Sequence, residues 1–409
     1  MVNRYYHRLL PLLLLLGSAL SLAGQPLPSV LSLEDCLNQA RAHSPVLAQQ
    51  PLVAEALVTQ TRRLNRDYWP QLNLNGLATW QSEVISVPLE FPGIDIPSPP
   101  QDQYRVTLDV QQTIWDGGLT QARKAQAEAQ ARATNQELVV NFYQAERQIR
   151  QLYFGALLAE RQRDYAELLQ TDLQRQIQRL QAAVDNGVAV PSDVRQLQAK
   201  LLEVQQQQRS AQHQKTAALA ALEQWTGNAI PPEINLLLPD EGELPGSNRR
   251  PELDLLDRQA DVLQVSETLI SRTNTPKLGA FASLGYGRPG LNLLASEWDT
   301  YAQVGARLTV PLTWLYTGNQ NLEKQQLELQ RNRLQQQREQ FILQTEAVRQ
   351  RQSEEIARLR EQVAADETIT ELRAQITATA ATQLQEGVIT VSDYLTELNR
   401  EDLARQNRL

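Results

Sequence analysis

The feature that most restricts this chain is a long unit that occurs twice. The first copy opens as an alternating strand, with Tyr104, Val106, Leu108 and Val110 set against Arg105, Thr107, Asp109 and Gln111, and turns at Trp115-Asp116-Gly117-Gly118. It then runs without a proline to Gly187-Val188-Ala189-Val190-Pro191-Ser192-Asp193. The second copy reads Ala302, Val304, Ala306, Leu308 and Val310, then Trp314-Leu315-Tyr316-Thr317-Gly318, then a proline-free run to Gly387-Val388-Ile389-Thr390-Val391-Ser392-Asp393. Gly118 and Gly318, Gly187 and Gly387, and Asp193 and Asp393 each stand 200 residues apart. Upstream, Pro45 and Pro251 are 206 apart, as are Pro70 and Pro276, so the duplication reaches back through a helix and a strand.

Proline breaks a helix interior by removing a donor and clashing with the preceding turn. Its absence between Pro100 and Pro191, and after Pro311, therefore permits rods. A helix over 119–185 would be about 100 Å long at 1.5 Å per residue. Along it Leu138, Phe142, Ala145, Ile149, Leu152 and Ala156 step by fours and threes, the spacing of a coiled-coil seam. Tyr153, Phe154, Leu157 and Leu158 widen that stripe, which predicts more than one packing face. A return helix over 192–226 stops at Gly227. The second rod, 319–386, is followed only by Ser392 to Leu409, about half a return helix, so the sequence is expected to be clipped.

Ahead of each rod lie two alternating strands. Leu72, Leu74, Ala78 and Trp80 oppose Asn73, Asn75 and Thr79; Leu278, Ala280, Ala282, Leu284 and Tyr286 oppose Gly279, Ser283, Gly285 and Gly287, with Phe281 interrupting the polar side. Trp69, Trp80, Trp115, Trp298 and Trp314 fall at or near strand ends, which suits membrane-interface anchors better than a sandwich core. No segment after the N-terminus reaches the roughly 18 consecutive apolar residues of a membrane helix, so any membrane entry is by strands. Four strands do not close a barrel, and an open edge in lipid strands backbone groups at several kcal/mol each. The barrel must be shared between subunits, two giving eight strands and three giving twelve.

The expected organisation is a signal peptide over 1–23, a first repeat over 24–230 and a connector over 231–250, followed by a second repeat over 251–409. The first repeat holds strands 70–82 and 102–114, helix 119–185, reversal 186–193 and return helix 192–226. The second holds strands 277–287 and 300–312, helix 319–386, reversal 386–393 and a short return helix. In each, a helix precedes the strands; the first is read from Leu33 to Arg66, capped by Ser32 and bent near Pro45 and Pro51. The signal peptide is read from Arg4 and Arg8 ahead of an apolar run from Leu9 to Leu22. Without it the chain has 37 basic and 47 acidic residues, which excludes nucleic acid as a general ligand. Cys36 is the only cysteine, and His43 and His213 stand far apart, so no disulfide, metal site, cofactor or catalytic triad is expected. Gly285-Tyr286-Gly287-Arg288-Pro289-Gly290 spells a dinucleotide fingerprint, but Pro289 and the missing helix remove its context.

This order of parts resembles the TolC-like outer-membrane efflux protein family. The match is carried by Leu33 to Pro45, Trp69-Pro70, Gln112-Thr113-Ile114-Trp115-Asp116-Gly117-Gly118 and the two reversals. The resemblance implies long helical hairpins and four transmembrane strands per protomer, joined in a homotrimer into one twelve-stranded β-barrel and a helical barrel crossing the periplasm. It implies an exit duct in the outer-membrane lipid, serving efflux or type I secretion with a periplasmic adaptor and an inner-membrane transporter. The reversals become the adaptor-docking tips: Gly187, Val188, Ala189 and Val190, and Gly387, Val388, Ile389 and Thr390. Asp193 and Asp393 fall at the pore entrance, where six carboxylates around a threefold axis would attract cations. The competing reading is that each aspartate serves only the start of its return helix. A periplasmic adaptor would have one hairpin rather than two, a structural coiled-coil protein would lack paired strands, and no acid, base or nucleophile constellation supports an enzyme.

Overall fold

The computed structural model describes residues 30–85, 98–240, 250–292, 296–312 and 314–408. The expected signal peptide, most of the first inter-strand loop and part of the second lie outside them.

The chain begins with β1 (Val30–Leu31) and α1 (Leu33–His43). Ser32 and Asp35 form a reciprocal capping box, with the Asp35 amide donating to Ser32 Oγ at 3.1 Å and the Ser32 amide to Asp35 Oδ2 at 3.3 Å. The expected continuous helix to Arg66 is broken, not bent. Pro45 disfavours the helical region for Ser44, which turns extended (φ −62°, ψ 116°), and a short 3-10 turn (Leu47–Gln49) precedes α2 (Gln50–Arg66). Pro51 then sits in the first turn of α2, where a proline costs no hydrogen bond.

β2 (Gln71–Trp80) and β3 (Asp102–Trp115) form an antiparallel pair, and α3 (Leu119–Asp185) follows. Asp116 starts that 67-residue helix by accepting the amides of Gly118 and Thr120 at 2.9 and 2.7 Å. Burial pushes the Asp116 carboxyl upward, but hydrogen bonds from Thr120, Tyr68 and the two amides outweigh it and hold the group below the usual carboxylate range. Gly117 has φ +68°, and a Cβ there would meet Thr275 Oγ1 at 1.9 Å, so both backbone and neighbour require glycine.

α4 (Pro191–Thr226) returns along α3, and the connector then contains β4 (Asn235–Leu236), parallel to β1. The second repeat supplies α5 (Pro251–Thr273), β5 (Lys277–Arg288), β6 (Asp299–Thr309), the short α6 (Trp314–Thr317), α7 (Asn319–Gln385) and α8 (Val391–Arg408). The second strand-to-helix turn thus replaces the Asp-Gly-Gly device with a helical turn and a left-handed Gly318 at φ +65°.

Two cores hold the rods. The first gathers Cys36 and Ala40 of α1, Ile149, Tyr153, Ala156 and Leu157 of α3, Leu219 and Leu222 of α4, and Leu236 of β4. Of the widened patch of α3, Tyr153 and Leu157 enter this core, whereas Phe154 and Leu158 stay exposed at 44% and 41%, so the expected second packing face is open within one chain. Burial raises the Tyr153 hydroxyl to about 12, and that hydroxyl lies 2.9 Å from the Leu31 carbonyl and 2.6 Å from that of Leu237. Lys215, 1% exposed, donates to Glu160 Oε1 at 2.8 Å and to the Ile234 carbonyl at 3.0 Å, fastening the connector to α3 and α4. The second core joins the repeats: Leu169 and Leu173 of α3 and Leu197 and Val204 of α4 pack with Ala380 of α7 and Tyr394 and Leu398 of α8.

Candidate functional site: the sheet and the two reversals

The four long strands form one antiparallel sheet in the order β2-β3-β5-β6, leaving β2 and β6 as open edges. Register sorts the side chains cleanly. Leu74, Leu108, Leu284 and Ala302 share one row, as do Leu72, Val110, Ala282 and Val304. This face is bare: Leu74 is 75% and Val304 86% exposed. The opposite face carries Asn73, Asp109, Ser283 and Gln303 in one row and Asn75, Thr107, Gly285 and Tyr301 in the next. On it Asp109 accepts hydrogen bonds from Asn75 at 2.6 Å, Thr107 at 2.8 Å and Ser283 at 2.5 Å, so its charge is spread over three strands. A bare apolar face backed by a polar one reverses the arrangement of a sheet lying on a protein core.

Trp69, Trp80, Trp115 and Trp298 fall at the two ends of this sheet. At the end away from the helices Trp80 is 71% exposed, and Trp298 stacks on Tyr286 and Tyr104 with centroids 5.2 and 5.9 Å apart. At the helix end Trp115 is exposed and Trp69 lies under the Arg66 guanidinium at 5.4 Å. Trp314 opens α6, and its side chain lies outside the described residues.

The reversals share one construction. Gly187 and Gly387 adopt φ +73° and +69°. The amides of Val188 and Val388 close back on the carbonyls of Ala183 and Gln383 at 2.9 Å, the Schellman ending of a helix. Val188 and Val388 project into solvent at 80% and 66% exposure, Val190 is also exposed, and Ala189 and Ile389 are half-buried. Both loops sit directly on the second core, whose members Val391 and Tyr394 immediately follow the reversal.

The return helices start differently. α4 has Pro191 in its first turn and no side-chain cap; Asp193 makes only a 3.4 Å contact with Ser192 Oγ, and its amide donates to the Val190 carbonyl at 3.1 Å. α8 begins with a reciprocal box, in which Asp393 Oδ2 accepts the Thr390 hydroxyl at 2.7 Å and its amide at 3.0 Å, while the Asp393 amide donates back to Thr390 Oγ1 at 3.2 Å. The Thr390 hydroxyl and amide hold the Asp393 carboxyl below the usual carboxylate range. Asp393 thus serves its helix as well as facing solvent, and Asp193 is the half-buried and less engaged of the two. Thr390, expected in the sequence only as a tip residue, is the cap partner of Asp393, and Thr-x-x-Asp ahead of an apolar run is the capping signature that marks it. Among the described residues no group of His, Cys, Asp and Glu is arranged to hold a metal ion.

Residues 36–228 match the family model described as outer membrane efflux protein. The chain is 29% identical over 243 residues to the alkaline protease secretion protein AprF of Pseudomonas aeruginosa, covering 54% of this chain and 48% of that one. The chain thus spans about half the length of the curated relative it matches. Among solved structures it resembles CusC, with 15% identity, a TM-score of 0.65 and coverage of 92% of this chain and 87% of the other. It also resembles the outer membrane protein VceC of Vibrio cholerae, with 16% identity, a TM-score of 0.61 and coverage of 92% and 91%. These structures share its fold, and the motif-bearing first repeat matches the family model in sequence as well. By its first repeat, residues 36–228, the chain is similar to the outer membrane efflux protein family.

Proposed function

We propose that this protein is the outer-membrane exit duct of a tripartite efflux or type I secretion system. It conducts passively through a trimeric barrel in the outer-membrane lipid, with its helices in the periplasm and its two reversals as the gated tip. The observation that carries the reading is the open-edged sheet with an exposed apolar face and a polar reverse. In lipid those edges must be paired, and three copies supply twelve strands with lipid outside and water inside. Size agrees: the 14 residues of β3 extend about 48 Å at 3.4 Å each, which a barrel tilt of about 45° reduces to roughly 34 Å, enough to cross a hydrocarbon core of about 30 Å. The two bands of tryptophan would then lie at the two interfaces.

In this reading the tips, with Val188 and Val388 outermost, receive a periplasmic adaptor coupled to an inner-membrane transporter, which supplies the energy. Asp193 and Asp393 ring the entrance. The test is single-channel recording in planar bilayers of wild type against Asp193→Ala plus Asp393→Ala. A cation-selective pore whose selectivity weakens in the double variant is the expected result. A pore indifferent to the change returns Asp393 to the start of α8 alone and leaves Asp193 a solvated charge, and no conductance from a verified trimer removes the duct.

A further inference from the structure

The polar face of the sheet carries its charge in separate zones, and the two rows nearest the helices, Lys277 with Thr309 and Gly279 with Arg307, are positive. There Lys277 of β5 and Arg307 of β6 line a cavity of about 590 Å³, together with Gln71, Gln111, Thr113 and Phe281. Among the described residues neither cation forms an ion pair. The acids of the cavity are already engaged: Asp67 lies 3.8 Å from Arg123, and Asp116 is consumed by the amides that start α3. Asp109 sits four residues further along the sheet than Arg307 and six further than Lys277, about 13 and 20 Å at strand spacing, beyond the screening length of about 8 Å at physiological salt. It is also committed to three donors of its own.

Arg307 is positioned rather than trailing. Phe281, the residue that interrupts the polar alternation, lies across Gly305, where any Cβ would come within 2.8 Å of the ring. The Arg307 guanidinium rests over that ring, 5.3 Å from its centroid. The amides of Gln71 and Gln111 and the hydroxyl of Thr113 add neutral donors beside the two cations. Unpaired cations backed by neutral donors in a cavity of this size suit a drug-sized organic anion.

We propose that Lys277 and Arg307 form an anion-binding collar on the duct wall, at the junction of barrel and helices, that takes small organic carboxylates. The inference rests on the duct reading, in which three protomers place six cations around the axis. An acidic entrance and a basic collar then act in series: the first passes cations into the helical barrel, and the second slows carboxylates at the barrel mouth.

The probe is benzene-1,3,5-tricarboxylate added to the helix side of the full chain in a planar bilayer. Wild type is expected to show concentration-dependent block. In Lys277→Gln plus Arg307→Gln the half-blocking concentration rises roughly tenfold, about half a decade for each lost charge contact. Lys277→Arg plus Arg307→Lys keeps the block, and the single Gln variants, each expected to shift by roughly threefold, serve if the double variant does not assemble. Absence of block in wild type, or block unchanged by the Gln substitutions in a pore of normal conductance, overturns the collar while leaving the duct intact. Absence of any wild-type conductance overturns both.

Discussion

Replacing Lys215 with methionine keeps most of the side-chain volume but leaves Glu160, itself only 10% exposed, with a buried charge and no cation. Breaking one side of a buried pair in this way costs about 3–5 kcal/mol. The Ile234 carbonyl also loses its donor, adding about 1 kcal/mol. Replacing both partners, Lys215→Met with Glu160→Leu, removes the stranded charge, so the double variant should lie within about 2 kcal/mol of wild type. The readout is amide hydrogen exchange at Leu237, whose N–H donates to the Leu31 carbonyl at 3.1 Å and opens when β4 leaves α3 and α4. A loss of 3 kcal/mol speeds that exchange by on the order of a hundredfold, and the double variant should restore most of it. If the single and double variants exchange equally fast, the two charges are not coupled, and the connector is held by apolar packing alone.

Glycine substitutions should rank by what surrounds them. Gly187→Ala and Gly387→Ala meet open space and lose only the left-handed preference, about 1–2 kcal/mol, whereas Gly117→Ala adds an overlap with Thr275 and should lower the apparent melting temperature in detergent much further; equal losses would show that Thr275 yields freely. At the second tip, Thr390→Val should speed exchange of the first-turn amides of α8, while Asp193→Asn leaves α4 unchanged. The box is also pH-dependent. Because the folded-state value of Asp393 is depressed, its stabilisation is complete above the ordinary carboxylate value of about 3.9 and is lost as pH falls through the folded value. The difference between wild type and Thr390→Val should therefore shrink on acidification to what the Asp393 amide on Thr390 Oγ1 alone supplies, and a difference that does not change with pH would place the carboxylate outside the box.

Local chemistry explains which features the sequence alone reveals. The ends of α3 are legible because Asp116-Gly117-Gly118 and Gly187 each fix the backbone by themselves, through a capping carboxylate and left-handed glycines. The faces of the sheet are legible because strand alternation needs no partner to be seen, and the paired strands and repeated reversals already carry the family resemblance. Features that depend on distant partners are hidden. β1 and β4 are two residues each and acquire meaning only from one another. Lys215 stands in a glutamine-rich helix and looks solvated until Glu160 and Ile234 close over it. The break at Ser44 was within reach, since the residue before a proline rarely stays helical, and Ser44 Oγ accepts the Leu47 amide at 3.3 Å to start the next turn. At the site, the two aspartates look equivalent in sequence, and only Thr390 against Val190 three positions earlier separates them.

The pairing of Val30 with Asn235 and of Leu31 with Leu236 also sets an order of events. These residues are about 200 positions apart, so the start of the chain has no strand partner until the first hairpin has been delivered and its connector has followed. Loop closure over that length is costly for a chain still extended, but cheap once α3 and α4 have brought Ile149 and Leu222 together as a platform. The clasp is thus expected to close late, after the first repeat has its rod and before the second repeat is locked to it. A variant that weakens the clasp would then show itself first as slow maturation, with the finished assembly less affected than the rate at which it forms.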